Sequence, residues 1–204
     1  MKSFDAIVFD LDGVLVDSYE CWFRLLNDIL LEDGKRPLTQ GEFHKTWGQG
    51  PEADRQEFLS HWSLKDLIAV YDRRFPDYTK WAKPIEGSKE CLLKLRSLKK
   101  RIGVASNSPT GVVHALLKAS GLYDFPDVVI GSDQVVNEKP APDLLFKAVE
   151  LLKLNREDAC YIGDSIFDEQ AAAAAGMFFV GYKRKGNVSV QNFEELIALF
   201  GKAS

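Results

Sequence analysis

The stretch that decides the fold is AIVFDLDGVLVD, at residues 6–17. Its first part, Ala6 to Phe9, is a short apolar run, and Asp10, Asp12 and Gly13 come soon after it. A continuous apolar run bounded by turn residues indicates a strand that is buried on both faces. Gly13 allows the chain to turn sharply behind the second acid. The segment therefore predicts a central strand whose carboxyl end carries two aspartates.

Four similar apolar runs follow later in the chain, separated by segments with helical periodicity. The expected strands lie at residues 102–105, 128–131, 160–163 and 177–180, and the expected helices lie at residues 89–100, 110–120, 142–152 and 168–175. Two of the helical segments end at a glycine, Gly121 and Gly176, which is a common helix stop. Strands that alternate with helices predict an α/β fold, namely a doubly wound, Rossmann-like parallel sheet of five strands.

Residues 18–82 interrupt this alternation. Apolar pairs such as Ile29-Leu30 recur there at helical spacing, and no strand pattern is present. An all-helical segment placed directly after the first strand predicts an inserted cap. We expect a core domain made of residues 1–17 and 83–204, with a helical cap domain between the two parts.

The composition restricts the classes of partner. The chain has 204 residues and a formal net charge of −4, which gives little support to nucleic-acid binding through clustered cations. No apolar run reaches the length that spans a bilayer, and the first residues lack a signal-peptide pattern. The cysteines, Cys21, Cys91 and Cys160, are far apart and form no C-x-x-C motif. We therefore expect buried, reduced thiols in a cytoplasmic protein that binds neither nucleic acid nor membrane.

Asp10 and Asp12 lie where ligands bind in open parallel sheets, beyond the carboxyl ends of the strands. Their spacing of two places both carboxylates on one side of an extended backbone, while Phe9 and Leu11 face the other side. Two acids in this position can divide the roles of nucleophile and general acid/base. The alternative is a helix cap or a surface turn, because a short D-x-D-G motif also recurs by chance.

Polar residues also follow other predicted strands. Ser106 and Asn107 offer a hydroxyl, an amide and backbone N–H groups that suit phosphate oxygens, although this stretch alone is also a plain turn. Lys139 precedes a stiff Pro-Ala-Pro stretch and can hold a positive charge on a phosphate, whereas most lysines are simply solvated. Asp164 and Asp168 add two acids after the fourth run, although Asp168 also suits a helix N-terminus.

Four motifs stand in a recognisable order along the chain. They are DLDGVLVD at residues 10–17, SN at 106–107, KPAP at 139–142 and GDSIFD at 163–168. In this order and at these strand ends they resemble the haloacid dehalogenase superfamily, in its phosphoglycolate phosphatase and beta-phosphoglucomutase branch with a helical cap. The resemblance covers the core nearly end to end, whereas the cap is similar only in position and helical character.

The resemblance implies a magnesium-dependent phosphatase that acts on small phosphorylated metabolites. In such an enzyme Asp10 attacks phosphorus and becomes an aspartyl phosphate, while Asp12 protonates the leaving alcohol and then activates water. The implied ligands of Mg²⁺ are Asp10, the backbone carbonyl of Asp12, and Asp164. Asp168 is expected to support the metal waters or to orient the lysine. An oxygen-rich site with few protein ligands suits magnesium better than zinc.

The same resemblance assigns the transferring phosphoryl group to Ser106, the Asn107 amide and Lys139. Electrostatics favours this assignment, because a phosphate dianion can approach several carboxylates only where cations intervene. A magnesium ion and Lys139 supply those cations, as phosphoryl transfer requires.

The predicted cap contains one further stretch of interest, Gly48-Gln49-Gly50-Pro51. It lacks the third glycine, the preceding strand and the lysine of a nucleotide-binding loop. Its position resembles that of the substrate-specificity loop of capped relatives. We therefore expect Lys45, Trp47 and Gln49 to face the substrate, with a place in the cap core as the alternative for Trp47.

Two other functions fit the same residues. A phosphosugar mutase of the beta-phosphoglucomutase type would use Asp10 and Asp12 to return the phosphoryl group to a sugar. Val14 favours this alternative, because many phosphatases of the family have Thr there. A noncatalytic binding or regulatory module would keep the fold alone, but such a module has no reason to keep all the charges of the site together.

Overall fold

The computed structural model describes residues 3–201 and contains a large parallel sheet, a two-stranded ribbon and, within that range, nine α-helices. The strands are β1 (Ala6–Phe9), β2 (Val16–Asp17), β3 (Lys83–Pro84), β4 (Arg101–Ala105), β5 (Val128–Ile130), β6 (Ala159–Gly163), β7 (Phe178–Tyr182) and β8 (Val188–Val190). The helices are α1 (Tyr19–Glu32), α2 (Gln40–Thr46), α3 (Pro51–Phe58), α4 (Leu64–Arg74), α5 (Ser88–Ser97), α6 (Thr110–Ala119), α7 (Asp143–Leu152), α8 (Ile166–Ala175) and α9 (Phe193–Gly201). None of the helices described is long and apolar enough to cross a membrane.

The large sheet confirms the predicted doubly wound α/β fold. Its strands lie in the order β5-β4-β1-β6-β7-β8, and each neighbouring pair is parallel. The predicted number of five strands was one too few, because β8 adds to the edge with Val188 opposite Val180. A short edge strand with two valines around a serine contains no continuous apolar run, so its sequence does not mark it as a buried strand.

The central strand β1 is buried on both faces by alternating side chains. Ile7 and Phe9 belong to a core cluster that includes residues of α1, α5 and α6. Ala6 and Val8 belong to a second cluster that includes residues of α7 and α8. Because successive side chains of a strand point to opposite faces, helices must cover both sides of the sheet. The sheet is therefore the middle layer of three.

The chain leaves β1 at the point where the winding of the sheet reverses. β4 lies on one side of β1 and β6 on the other, so the carboxyl ends of these strands meet near Asp10. The backbone N–H of Asp10 donates to the carbonyl of Ile162 in β6 at 2.8 Å. Ligands of open α/β sheets bind in the crevice at this switch point.

A helical lid, which we define as residues 18–82, covers this edge of the sheet. It contains α1 to α4 and a 3₁₀ helix at Phe75–Trp81. The two chain segments that enter and leave the lid, β2 and β3, pair antiparallel with Asp17 opposite Lys83. This ribbon coincides with the expected domain boundaries, and the division into two domains stays a prediction.

Several hydrogen bonds join the lid to the core, and two of them involve the loops that carry Gly48 and Glu138. The side-chain amide of Asn107 donates to the carbonyl of Gly48 at 3.0 Å. The Glu138 carboxylate accepts from the backbone N–H of Glu52 at 2.9 Å, in the first turn of α3. Gly50 leaves room for this carboxylate, because a Cβ there would overlap it. The lid is therefore held against the core by loops that also carry the predicted site residues.

We expect the Glu138 contact to make the stability of the fold depend on pH. Burial raises the pKa of Glu138 to about 7, although the Glu52 N–H lowers it, and the nearby Asp54 raises it further. An acid with a raised folded-state pKa contributes stability that is complete below its ordinary value of 4.5 and is lost as the pH rises through about 7. The side chain of Glu138→Gln cannot ionise. When the pH rises from about 6 to about 8.5, the free energy of unfolding of this variant should therefore fall less than that of the wild type. The difference between the two losses should be roughly 1–2 kcal/mol.

Urea denaturation at both pH values measures this difference. Glu57→Gln is the matched control, because it removes an exposed acid from α3, the helix that Glu138 contacts, and should keep the wild-type pH dependence. Equal pH dependence of Glu138→Gln and the wild type would contradict the assignment.

Candidate active site

The ammonium group of Lys139 lies at the centre of a polar cluster beyond β1. Its Nζ donates to Asp10 Oδ1 at 2.9 Å, to Asp168 Oδ1 at 2.7 Å and to the Tyr161 hydroxyl at 2.9 Å. The Lys139 side chain is only 2% exposed, so water hardly screens these interactions. Lys139 is therefore a fixed positive charge within the cleft.

Asn107 holds the backbone of Lys139 in place. The Lys139 N–H donates to Asn107 Oδ1 at 2.7 Å, and Asn107 Nδ2 donates to the Lys139 carbonyl at 3.0 Å. The same Nδ2 also donates to the lid at Gly48. Because this side-chain amide is fully used by the protein, the backbone N–H of Asn107 is the group that remains for a phosphate oxygen.

Asp168 is fixed by the start of α8 and by the strand beside it. Its Oδ2 accepts from the N–H and the hydroxyl of Ser165, which caps the helix, and its Oδ1 accepts from the Tyr161 hydroxyl at 2.6 Å and from Lys139. Ligand oxygens of Asp10, Asp164 and Asp168 lie within 4.8 Å of one another. Both oxygens of Asp168 already have donors, and Oδ1 is the oxygen that holds the Lys139 ammonium group.

Asp164 has an unpaired oxygen that suits a cation. Its Oδ1 is buried and has no hydrogen-bond partner among residues 3–201. The other oxygen, Oδ2, lies against Gly13, where a Cβ would come within 2.2 Å of it and where the backbone φ is +81°. Only glycine fits this approach. An unpaired carboxylate oxygen beside Asp10 fits a hard divalent cation, which binds oxygen ligands.

The electrostatics of the cluster supports the same conclusion. Burial and the charge of Asp168 raise the pKa of Asp10 well above its usual range, against the opposite effect of Lys139. Burial and Asp168 likewise raise the pKa of Asp164 to about 7. Burial also disfavours ionised Asp168, but Lys139 and the neighbouring hydroxyl groups outweigh it, so the pKa of Asp168 is lowered. The three carboxylates therefore face one ammonium group, and a further positive charge would stabilise them.

Asp12 lies apart from this cluster, in a separate hydrogen-bond network. Its Oδ2 accepts from the hydroxyl groups of Ser106 at 3.1 Å and Ser108 at 2.8 Å, both in the core. Its Oδ1 accepts from the indole N–H of Trp22 at 3.1 Å and from the hydroxyl of Ser18, both in the lid. Both oxygens of the Asp12 carboxylate therefore accept hydrogen bonds, Oδ2 from the core and Oδ1 from the lid.

A cavity under the lid is lined by Asp10, Asp12 and Lys139 together with Ser106 and Asn107 of the core.

From the lid, Trp47 and Gln49 line the same cavity. The structure does not bring Lys45 to it: this side chain is exposed and lines a separate depression beside Glu57. α2 ends at Thr46, so the helical spacing from Lys45 to Gln49 does not place them on one face.

A family model described as "Haloacid dehalogenase-like hydrolase" matches residues 7–182. The chain belongs to this family. It is 34% identical over 192 residues to a phosphoglycolate phosphatase of Yersinia pseudotuberculosis, with 88% of this chain and 81% of the relative covered. It is 30% identical over 184 residues to a phosphoglycolate phosphatase of Rhodobacter capsulatus, with 87% and 83% covered. The family and these relatives confirm the prediction of a phosphoric monoester hydrolase.

Solved structures show the same haloacid dehalogenase-like fold. CbbY from Rhodobacter sphaeroides in complex with phosphate superposes with a TM-score of 0.83 at 23% identity, covering 95% of this chain and 96% of that one. A beta-phosphoglucomutase from Clostridium difficile superposes with a TM-score of 0.79 at 20% identity, covering 95% and 93%. At these identities the likeness concerns the fold alone.

Four contributors to the haloacid dehalogenase-like site were not predicted from the sequence: Ser18, Trp22, Ser108 and Tyr161. Ser108 had a usable signal, since it is a second hydroxyl two residues after Ser106. The other three had none. Tyr161 lies within β6, and its role depends on the position of Lys139, which comes from a different part of the chain.

We expect Tyr161→Phe to destabilise the fold. The Tyr161 hydroxyl accepts from Lys139 and donates to Asp168, so its loss leaves two buried charges with one partner fewer each. The free energy of unfolding should fall by about 1–3 kcal/mol. Urea denaturation measures it, and Tyr182→Phe in β7 is the control, because the Tyr182 hydroxyl has no hydrogen-bond partner in residues 3–201. Equal losses in the two variants would refute the role of the hydroxyl.

Proposed function

We propose that this haloacid dehalogenase-like hydrolase is a magnesium-dependent phosphatase of small phosphorylated metabolites, either phosphoglycolate-like or sugar-phosphate-like. The observation that carries the proposal is the position of Lys139, whose Nζ is 2.9 Å from Asp10 Oδ1 in a cavity that Asp12 also lines. A cation fixed against one acid, with a second acid nearby, is the combination that phosphoryl transfer to a carboxylate needs.

In the proposed reaction Asp10 is the nucleophile. One of its oxygens accepts the Lys139 hydrogen bond, and the other, Oδ2, has no protein donor within the described chain. Oδ2 forms a bond to phosphorus while the bond from phosphorus to the ester oxygen breaks. Asp12 gives its proton to that leaving oxygen, so the alcohol departs neutral. The result is an aspartyl phosphate on Asp10 and an ionised Asp12.

Hydrolysis of the aspartyl phosphate uses the same two acids in reverse roles. Asp12 takes a proton from water, whose oxygen bonds to phosphorus as the bond to Asp10 breaks. Inorganic phosphate leaves, and both acids return to their starting states. The hydroxyl of Ser106, the backbone N–H of Asn107 and the ammonium of Lys139 are the donors proposed to hold the phosphoryl oxygens.

Asp10, the backbone carbonyl of Asp12, and Asp164 would hold Mg²⁺. When bound, the ion supplies positive charge that offsets the carboxylates and the phosphoryl group. The unpaired Oδ1 of Asp164 and its close approach to Gly13 support this assignment. Asp168 would orient Lys139 from the side opposite Asp10.

Asp10→Asn should abolish turnover of p-nitrophenyl phosphate and leave the fold intact, with a loss of at least about a thousandfold in kcat. Asp124→Asn, at an exposed position, is the control and should keep full activity. Turnover by Asp10→Asn would rule out Asp10 as the nucleophile. Isomerisation of a hexose 1-phosphate with slow phosphate release would identify a mutase instead.

Asp164→Asn should weaken magnesium binding by at least ~10-fold, because it removes a charged ligand. Isothermal titration with Mg²⁺ measures the affinity directly, and the magnesium concentration for half-maximal activity should rise in parallel. Chelation of the wild type with EDTA should stop turnover, and added Mg²⁺ should restore it. Unchanged magnesium affinity in Asp164→Asn would contradict the ligand assignment.

A further inference from the structure

The lid side of the cavity carries a buried acid that the proposed reaction does not use. Asp54, in α3, is buried and lines the cavity opposite the catalytic residues. Its Oδ1 accepts from Gln49 Nε2 at 2.7 Å, and its Oδ2 accepts from the Tyr71 hydroxyl at 2.9 Å. No ion pair involves Asp54 in the part of the chain described. The carboxylate is therefore a negative charge balanced only by neutral donors.

Asp54 fixes the direction of the Gln49 amide. A carboxylate can only accept hydrogen bonds, so it must face the NH₂ end of the amide. The amide oxygen, Oε1, has no protein donor among residues 3–201, and Gln49 lines the cavity. The lid thus presents a hydrogen-bond acceptor, next to a negative charge, to whatever is attached to the phosphate.

Among residues 3–201, no lysine or arginine of the lid lines this cavity. Among the described residues that line it, the one lysine is Lys139, which Asp10 and Asp168 already hold. Lys83 and Lys183 line a different, open depression beside Asp164. The remaining lid walls are mainly apolar, with the rings of Trp22 and Trp47, which suit a carbon skeleton.

We propose that the cavity accepts phosphate esters of small uncharged alcohols that carry further hydroxyl groups, such as sugar or polyol monophosphates. Esters that carry a carboxylate or a second phosphate at the lid end are rejected, and Asp54 and Gln49 are the residues that discriminate. A hydroxyl group of the substrate can donate a hydrogen bond to Gln49 Oε1. An anionic group has no proton to donate to Oε1, and the negative charge of Asp54 repels it. This inference rests on the proposed phosphatase function and narrows its substrate class.

The discrimination is measured with pairs of esters that differ in one group. 2-Hydroxyethyl phosphate and phosphoglycolate have the same two carbons, with a hydroxymethyl group in one and a carboxylate in the other. Glycerol 3-phosphate and 3-phosphoglycerate form the three-carbon pair. In each pair kcat/KM of the wild type with Mg²⁺ should be roughly tenfold or more higher for the neutral ester. Equal or higher values for the anionic esters would overturn the inference.

Variants assign the discrimination to its residues. Asp54→Asn should bring the kcat/KM ratio of each pair several-fold closer to one, whereas Glu57→Gln, the same change of charge on the exposed face of α3, should leave it unchanged. Gln49→Lys introduces a cation into the cavity and should shift the ratio towards phosphoglycolate. Because it leaves Asp54 in place, it tests the idea even if Asp54→Asn does not fold. Unchanged ratios in both Gln49→Lys and a folded Asp54→Asn would refute the assignment.

p-Nitrophenyl phosphate separates this inference from the proposed function. If the wild type with Mg²⁺ does not hydrolyse it and hydrolyses none of the four esters, the phosphatase proposal itself fails. If hydrolysis depends on Asp10 but the anionic esters are preferred, the function stands and only the substrate class is wrong.

Discussion

A lysine ammonium buried between two carboxylates is the constraint on which this site depends. Burying a charge is costly unless a well-placed partner offsets the loss of hydration, and removing one partner leaves the other charge uncompensated, at a cost of roughly 3–5 kcal/mol. Lys139 keeps its charge because Asp10 and Asp168 stay beside it. They stay there because β1 and β6 are neighbours whose carboxyl ends are level. The charge balance of the site therefore depends on the register of the sheet.

Asp12, the proposed acid/base residue, would couple the proposed chemistry to the position of the lid. Asp12 accepts hydrogen bonds from Ser106 and Ser108 in the core and from Ser18 and Trp22 in the lid. Opening of the lid would remove two of these donors and admit water to the carboxylate. In the proposed reaction, a lid that closes over Asp12 would also exclude the bulk water that competes with the leaving alcohol for its proton.

The sequence predicted most of the fold because the strands are buried on both faces and appear as apolar runs. It missed β8, whose edge position needs no such run. The acids and the lysine could be predicted because the carboxyl ends of parallel strands converge. Tyr161 and Trp22 could not, since their roles depend on which side chains meet across the fold. Lys45 was placed in the substrate cavity by its position near the loop, but the end of α2 turns it towards solvent.

The ribbon formed by β2 and β3 affects how easily the lid could be replaced by a segment of another size. The chain enters and leaves the lid on adjacent antiparallel strands, with Asp17 opposite Lys83. Antiparallel neighbours can be joined by a turn of only two residues. The chain of the core domain can therefore follow the same course whether β2 and β3 are joined by a short hairpin turn or by a whole helical module. Modules of different size can be grafted at this point without moving Asp10 from the end of its strand.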